Sequence, residues 1–140
     1  MARIIGIDYG TKRTGIATTD PLQIIASPLE TVATHLIFDY LKNYFLTETV
    51  ECIIVGEPRK LDATDAEILP QLRGFVNKLR VLFPNIPVEW QDERFTSRDA
   101  QKMILQSGRT KMQRRDKSLI DKISASIILT EWMQKKGKWS

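Results

Sequence analysis

The hydrophobic and polar positions of the chain follow two periods, and the changes of period divide it into strands and helices. Three short apolar segments come first and predict strands at residues 3–9, 15–19 and 24–32. Tight turns separate them, so they should form an antiparallel meander. Pro28 interrupts the third segment, which indicates an edge strand.

The middle of the chain alternates between helical and extended patterns. Residues 34–47 carry apolar positions at helical spacing, and residues 50–55 form an apolar, β-branched run typical of a strand buried on both faces. A capping box at residues 64–67 begins a second helix that Pro84 ends. Residues 86–90 then alternate as a short strand.

The last third predicts two more helices and a basic loop between them. Thr96 and Ser97 cap a helix at residues 98–106, residues 109–117 hold five cations against one acid, and residues 118–134 form the final helix. The predicted order is βββαβαβαα, an α/β arrangement in which a mixed sheet carries helices on its faces.

Length and composition limit the classes of protein that fit. A chain of 140 residues with 42% hydrophobic and 27% charged residues predicts one soluble domain over residues 1–140. The apolar runs are too short for a membrane span and the first residues lack a secretory signal, so we expect a cytoplasmic protein without a membrane partner.

Charge and the scarcity of histidine and cysteine narrow the chemistry. The net charge is +4 and the cations are clustered, which suggests a polyanionic partner. Charge alone leaves open the alternative that basicity serves solubility. The single cysteine, Cys52, reads as a core residue, and the single histidine, His35, as a surface or capping residue. Any metal site must therefore be built from oxygen ligands.

Three acidic positions require partners that the local sequence does not supply. Asp8 ends an apolar strand, Asp121 falls within the apolar stripe of the last helix, and Asp92-Glu93 follows another apolar strand, where either acid could serve. Converging carboxylates repel one another unless a hard cation lies between them, which selects Mg²⁺ or Mn²⁺ and predicts a metal-dependent nuclease. Structural ion pairs, Asp121 with a lysine or arginine and Glu93 with Arg94, are the alternative.

Four segments, GIDYGTKRTGIA, VGEPRKLDATD, DERFTS and DKISASIIL, resemble in order the motifs of the YqgF family, also called RuvX. This family is a bacterial branch of the RNase H-like nucleases and is related to the Holliday junction resolvase RuvC. The resemblance implies an RNase H-like fold: a five-stranded mixed sheet, with three antiparallel strands followed by two parallel ones, flanked by helices. It covers nearly the whole chain.

The same resemblance implies roles for individual residues. Asp8, Glu93 and Asp121 correspond to the catalytic, metal-binding acids, with Mg²⁺ or Mn²⁺ as the cofactor, whereas Ser118 stands where RuvC-type resolvases carry a fourth acid. The cations expected to bind nucleic acid are Lys12, Arg13, Arg59, Arg94, Arg109, Lys111, Arg114 and Arg115.

The implied substrate is structured RNA, in 5′-end processing of the 16S ribosomal RNA precursor, and the alternative is branched DNA in Holliday junction resolution. We expect a monomer or a weak homodimer. An actin-like ATPase, which shares an Asp-containing first hairpin, is disfavoured because such proteins need two domains of this kind. A noncatalytic RNA-binding or transcription-associated module would bind nucleic acid without metal and without cleavage.

Overall fold

The computed structural model describes residues 2–58, 63–93 and 117–136. Within them a short 3₁₀ turn, Thr34–Leu36, precedes the first helix. The elements in chain order are β1 (Arg3–Asp8), β2 (Arg13–Thr19), β3 (Ala26–Ala33), α1 (Ile37–Thr47), β4 (Val50–Pro58), α2 (Ala63–Leu82), β5 (Val88–Glu93) and α3 (Lys117–Lys135).

All five strands form one sheet in the order β3-β2-β1-β4-β5. The β1–β2 and β2–β3 pairs are antiparallel, and the β1–β4 and β4–β5 pairs are parallel. The predicted mixed sheet is therefore confirmed, with three antiparallel strands followed by two parallel ones. The parallel strands β1, β4 and β5 bring their carboxyl ends to the same edge of the sheet.

Side chains alternate along β1 and divide the core into two layers. Ile5 and Ile7 pack with residues of α1 and α2, whereas Ile4 packs with residues of α3 on the opposite face. The sheet is thus buried on both faces, as the apolar run of β4 predicts. No helix in the described part of the chain is long and apolar enough to cross a bilayer.

The predicted boundaries differ from the observed ones at all five strands. Strand β1 ends one residue earlier, at Asp8, β2 begins two residues earlier, at Arg13, and β5 begins at Val88 instead of residue 86. The third strand begins at Ala26 instead of residue 24, because the Asp20 carboxylate accepts hydrogen bonds from the amides of Leu22, Ile24 and Ile25 at 2.8–3.1 Å and holds them in a loop. These hydrogen bonds lower the pKa of Asp20, and the bond from the Ile25 amide has the largest effect. Strands β4 and β5 each run three residues further than predicted, to Pro58 and Glu93.

Two other predictions fall on residues that are not described. The predicted helix at residues 98–106 and nearly all of the predicted basic loop lie outside the described residues. Lys117, placed at the end of that loop by the sequence, is instead the first residue of α3.

Helix α3 lies close to the sheet because two strands present glycines to it. A Cβ atom added to Gly15 of β2 would overlap the carbonyl group of Asp121. One added to Gly6 of β1 would lie 2.8 Å from the Cβ of Leu129 and 3.0 Å from the carbonyl oxygen of Ala125. Backbone atoms cannot yield as a flexible side chain can, so glycine is required wherever the helix backbone touches the strand.

This packing predicts that Gly15→Ala will destabilise the fold. Overpacking of this kind costs about 1–3 kcal/mol, and the clash with helix backbone places the effect toward the upper end. Gly74→Ala is the matched control, because Gly74 lies within α2 and an added Cβ would meet nothing within 4 Å. The control should stabilise the protein by about 0.5–1 kcal/mol.

Denaturant unfolding of the two variants and the wild type measures both effects. Equal stability of Gly15→Ala and the wild type would contradict the close approach of α3.

Candidate functional site

A row of five residues crosses the sheet near the carboxyl ends of the parallel strands. Thr31 pairs with Gly15, Gly15 pairs with Asp8, and Gly56 pairs with Gln91. Gly56 follows Val55, the partner of Ile7, and so stands beside Asp8. We call Thr31, Gly15, Asp8, Gly56 and Gln91 the Asp8 row.

The Asp8 row lies on the face of the sheet that α3 covers. Asp8 alternates with Ile4 and Gly6, which contact α3, while Ile5 and Ile7 face the other layer. At the far end of the row the Thr31 hydroxyl donates a short hydrogen bond to the carbonyl oxygen of Ser118, in the first turn of α3. The first turn of α3 therefore lies over the Asp8 row.

Within the Asp8 row, Asp8 has a glycine on each neighbouring strand. Gly15 and Gly56 have no side chains, so the space on either side of the Asp8 carboxylate is bounded by backbone. Asp8 is the last residue of β1 and is half-buried, which confirms the predicted position of this acid at a strand end. Asp8 therefore lies at the edge of the sheet, between two positions without side chains.

Helix α3 passes next to the strand that pairs with Asp8. The backbone of Asp121 rests on Gly15, the strand partner of Asp8, so the start of the helix lies beside this strand pair. Arg13 Nε donates a hydrogen bond to Asp121 Oδ2 at 2.8 Å. The ion pair between Asp121 and an arginine, considered from sequence as the alternative to a metal ligand, is therefore present.

The Arg13–Asp121 pair is only moderately shielded from water. The Arg13 side chain is 44% exposed and that of Asp121 is 24% exposed. Pairs of this exposure contribute about 0.2–1 kcal/mol, because water screens them and the side chains lose conformational freedom. A competing cation of higher charge could therefore replace Arg13 at a small cost.

The turn between β1 and β2 is anchored to the start of the first helical segment. Thr34 donates its hydroxyl to the carbonyl oxygen of Gly10 at 2.6 Å, and its amide donates to the carbonyl oxygen of Lys12 at 2.9 Å. These bonds hold a polar turn that also presents Lys12, which is exposed, beside the carboxyl end of β1. A cation on an anchored turn can bind an anion with little loss of backbone freedom.

Sequence alone left open which acid of Asp92-Glu93 belongs to the site, and the sheet register bears on this choice. Asp92 pairs with Glu57 and alternates with Val88 and Trp90, which pack in the α1 and α2 layer. Asp92 therefore lies on the face opposite to Asp8. Glu93 is the last residue of β5, paired with Pro58, and its side chain lies outside the description.

The remaining cations predicted to bind nucleic acid cannot be placed. They all lie outside the described residues: Arg59, Arg94, Arg109, Lys111, Arg114 and Arg115. Lys12 and Arg13 are the two predicted cations that the structure places, and both lie at the Asp8 edge of the sheet.

Gln91 is a site residue that the sequence analysis missed. It is 5% exposed and belongs to the Asp8 row, and within the described part of the chain its Oε1 has no hydrogen-bond partner. Its Nε2 lies 3.5 Å from the carbonyl oxygen of Asp92, at the limit of a hydrogen bond. The local sequence signal was a polar residue between Trp90 and Asp92, which does not distinguish a buried glutamine from a solvated one.

The donor set suits a hard cation. Asp8, Asp121 and the orphaned amide oxygen of Gln91 are oxygen donors, and such donors favour Mg²⁺ or Mn²⁺. The residues that could supply softer ligands lie outside the Asp8 row. His35 is exposed beside α1. Cys52 is buried in β4, and its burial together with the neighbouring Glu89 raises the pKa of the thiol to about 12. Within residues 2–58, 63–93 and 117–136, no three acidic, histidine or cysteine side chains form a complete metal cage.

Comparison with known proteins assigns the sequence to a family. Residues 2–135 match the family RuvX, described as Holliday junction resolvase. A protein of Porphyromonas gingivalis named "Putative pre-16S rRNA nuclease" is 50% identical over 133 residues, which cover 95% of this chain and 96% of that protein. A protein of the same name from Flavobacterium johnsoniae is 48% identical over 136 residues, covering 97% and 99% of the two chains.

Solved structures of low sequence identity share the fold. RuvC of T. thermophilus, in complex with a Holliday junction substrate, matches with a TM-score of 0.59 and 17% identity, over 98% of this chain and 97% of that one. The resolvase of Fowlpox virus, in complex with Holliday junction DNA, matches with a TM-score of 0.57 and 14% identity, over 96% and 98%. The five-stranded mixed sheet with its helices is thus an RNase H-like fold.

The ion pair of Arg13 predicts the effect of its removal on metal binding. Arg13→Gln should raise the affinity for Mn²⁺ about two- to fivefold, because the cation no longer has to displace an interaction of about 0.2–1 kcal/mol. Lys12→Gln removes the same charge from the same turn without changing the partner of Asp121, and it should have a smaller effect. Calorimetric titration with Mn²⁺ measures both, and an Arg13→Gln affinity at or below that of Lys12→Gln would disprove the competition.

Proposed function

Because the chain belongs to the RuvX family, we propose that it is a divalent-metal-dependent nuclease that hydrolyses phosphodiester bonds of structured RNA, with the precursor of 16S ribosomal RNA as its substrate. Holliday junction DNA is the second candidate substrate, since the family description and the solved structures of the same fold refer to it.

One observation carries the proposal: Asp8 stands at the carboxyl edge of the sheet between Gly15 and Gly56, and the backbone of Asp121 in α3 contacts Gly15. Gly15 is also required by its contact with α3, and Gly56 leaves the position between Asp8 and Gln91 without a side chain. We expect the acids to bind a cation at this edge of the sheet.

Asp8, Asp121 and Glu93 would hold the cations at this edge. Divalent cations, when bound, supply an activated water and stabilise the leaving oxygen of a phosphodiester. The contribution of the protein is to fix the acids on rigid elements: Asp8 on a central strand, Asp121 on a helix that touches that strand's partner, and Glu93 at the end of β5. The position of Asp92 on the opposite face supports Glu93 as the third acid.

Lys12 and Arg13 would bind the phosphate backbone next to the scissile bond. Both lie on the β1–β2 turn and at the start of β2, close to the acids. Cations that contact phosphate provide affinity but little sequence information, which suits an enzyme that recognises a folded substrate by its shape. When a metal occupies the acids, Arg13 would be released from Asp121 and become available to phosphate.

The preference for RNA over branched DNA depends on the relatives. The proteins that share about half of their residues with this chain are named for pre-16S rRNA, whereas the resolvases of known structure share 14–17%. Ser118, in place of a fourth acid in the first turn of α3, agrees with a site that differs from that of RuvC-type resolvases.

The assignment of the acids predicts that Asp8→Asn and Glu93→Gln each lower the cleavage rate at least about a hundredfold. Loss of even an outer partner of a metal ligand costs about 10- to 100-fold, and a direct ligand should cost more. Asp92→Asn is the matched control, one residue from Glu93 and on the other face of the sheet. It should retain wild-type cleavage.

Melting temperatures separate these losses from unfolding. Asp8→Asn should melt at the wild-type temperature or higher, because it removes one charge from a crowded acidic cluster. Substantial residual cleavage by Asp8→Asn would refute the proposed site, and loss of cleavage in Asp92→Asn with activity retained in Glu93→Gln would exchange the two acids.

The substrate is tested by incubating the protein with 16S precursor RNA and with a synthetic four-way DNA junction, each with Mn²⁺, Mg²⁺ or a chelator. We expect metal-dependent cleavage of the RNA and little cleavage of the junction. Preferential cleavage of the junction would replace the RNA role with junction resolution. Binding that persists in chelator, without cleavage of either substrate, would identify a noncatalytic RNA-binding module.

A further inference from the structure

Gln91 combines burial with an unmet hydrogen bond. The residue is 5% exposed, and no group among the described residues forms a hydrogen bond with Oε1. A buried, unpaired polar group costs about 1–3 kcal/mol, a cost that an apolar side chain of similar size would avoid. Such a group is commonly found where a ligand supplies the missing interaction.

The sheet places Gln91 within reach of the Asp8 carboxylate. Both residues belong to the Asp8 row, on the face covered by α3, and Gly56 on β4 separates them. Adjacent strands are about 4.8 Å apart, so the two α-carbons are separated by roughly 10 Å. The intervening position has no side chain, so the longer glutamine can extend over Gly56 toward the shorter aspartate.

The neighbours of Gln91 on the same strand face are already paired. Glu89, two residues earlier, accepts from the Cys52 thiol at 3.5 Å and forms an ion pair with Lys136 at 3.6 Å. These contacts occupy the amino-terminal half of β5. Gln91 is the next position on that face, between Glu89 and the terminal Glu93, and it is the one whose oxygen is unsatisfied.

We propose that Gln91 Oε1 is an additional ligand of the divalent-cation site formed by Asp8, so that a neutral oxygen from β5 completes the set of acids. This inference rests on the proposed function and names a residue that the acidic motifs do not include. A neutral donor adds coordination without adding to the repulsion among the carboxylates.

The test uses the full chain and Mn²⁺ alone, in calorimetric titration and in thermal unfolding with and without the metal. Gln91→Leu should bind Mn²⁺ about 10- to 100-fold more weakly than the wild type. Its melting temperature without metal should be unchanged or higher, because the unpaired oxygen is gone. Gln71→Leu makes the same change at an exposed position of α2 and should not alter Mn²⁺ affinity.

Gln91→Glu is an independent test, in which the expected change of the melting temperature without metal is opposite to that of Gln91→Leu. Without metal it should melt at a lower temperature, because a second carboxylate is buried near Asp8. Mn²⁺ should then raise its melting temperature by more than it raises that of the wild type, since a carboxylate is a stronger ligand than an amide. If Gln91 had only a structural role, Gln91→Glu would lower the melting temperature without metal, and Mn²⁺ would raise it by no more than it raises that of the wild type.

The two proposals can fail separately. If the wild type binds Mn²⁺ and cleaves nucleic acid but both Gln91 variants bind the metal like the wild type, the role of Gln91 is disproved and the nuclease assignment stands. If the wild type binds Mn²⁺ but cleaves neither RNA nor the DNA junction, the nuclease assignment fails and the variants still decide the role of Gln91. If the wild type binds no Mn²⁺, both are disproved.

Discussion

The contact between α3 and the two glycine-bearing strands is the constraint on which the candidate site depends. At Gly15 the backbone of the helix touches the backbone of β2, with no side chain between them. Packing between side chains tolerates small displacements through changes of rotamer, whereas a contact between two backbones does not. The position of Asp121 relative to Asp8 is therefore fixed by the two main chains.

The same constraint gives the two layers of the protein different roles. The layer of α1 and α2 is formed by aliphatic and aromatic side chains that bury the inner face of the meander. The layer of α3 is also apolar over most of its length, but its first turns lie over the Asp8 row and carry Asp121 and Ser118. Stability comes from both layers, and the groups suited to chemistry are concentrated in one.

Patterns local in sequence predicted much of this arrangement. The strand that ends at Asp8, the hairpin that follows it and the amphipathic helix around Asp121 depend on residue spacing, and the structure agrees with all three. The alternation of Val88 and Trp90 also predicts which of Asp92 and Glu93 lies on the same face of the sheet as these apolar residues. Extending that period by two residues places Asp92 on the apolar face, as the register of β5 does.

Features that depend on individual side-chain hydrogen bonds, or on contacts between distant residues, were not predictable in this way. The loop before β3 is apolar by sequence, yet Asp20 binds its amides and withdraws Ile24 and Ile25 from the strand. The burial of Gln91 depends on the neighbouring strand β4, and the glycine beside it is adjacent only after the sheet forms. The role of Gly15 likewise depends on a helix that lies more than one hundred residues away in the chain.

These long-range contacts also explain how the acids can coexist before a metal binds. Asp8 and Asp121 would repel each other at this edge of the sheet, and Arg13 provides a positive charge to Asp121 from within the first hairpin. Because that pair is partly exposed, it offsets the repulsion without holding Asp121 strongly. The proposed site would thus combine rigid backbone positions with a weak counter-ion at Asp121, which a cation of higher charge could replace at small cost.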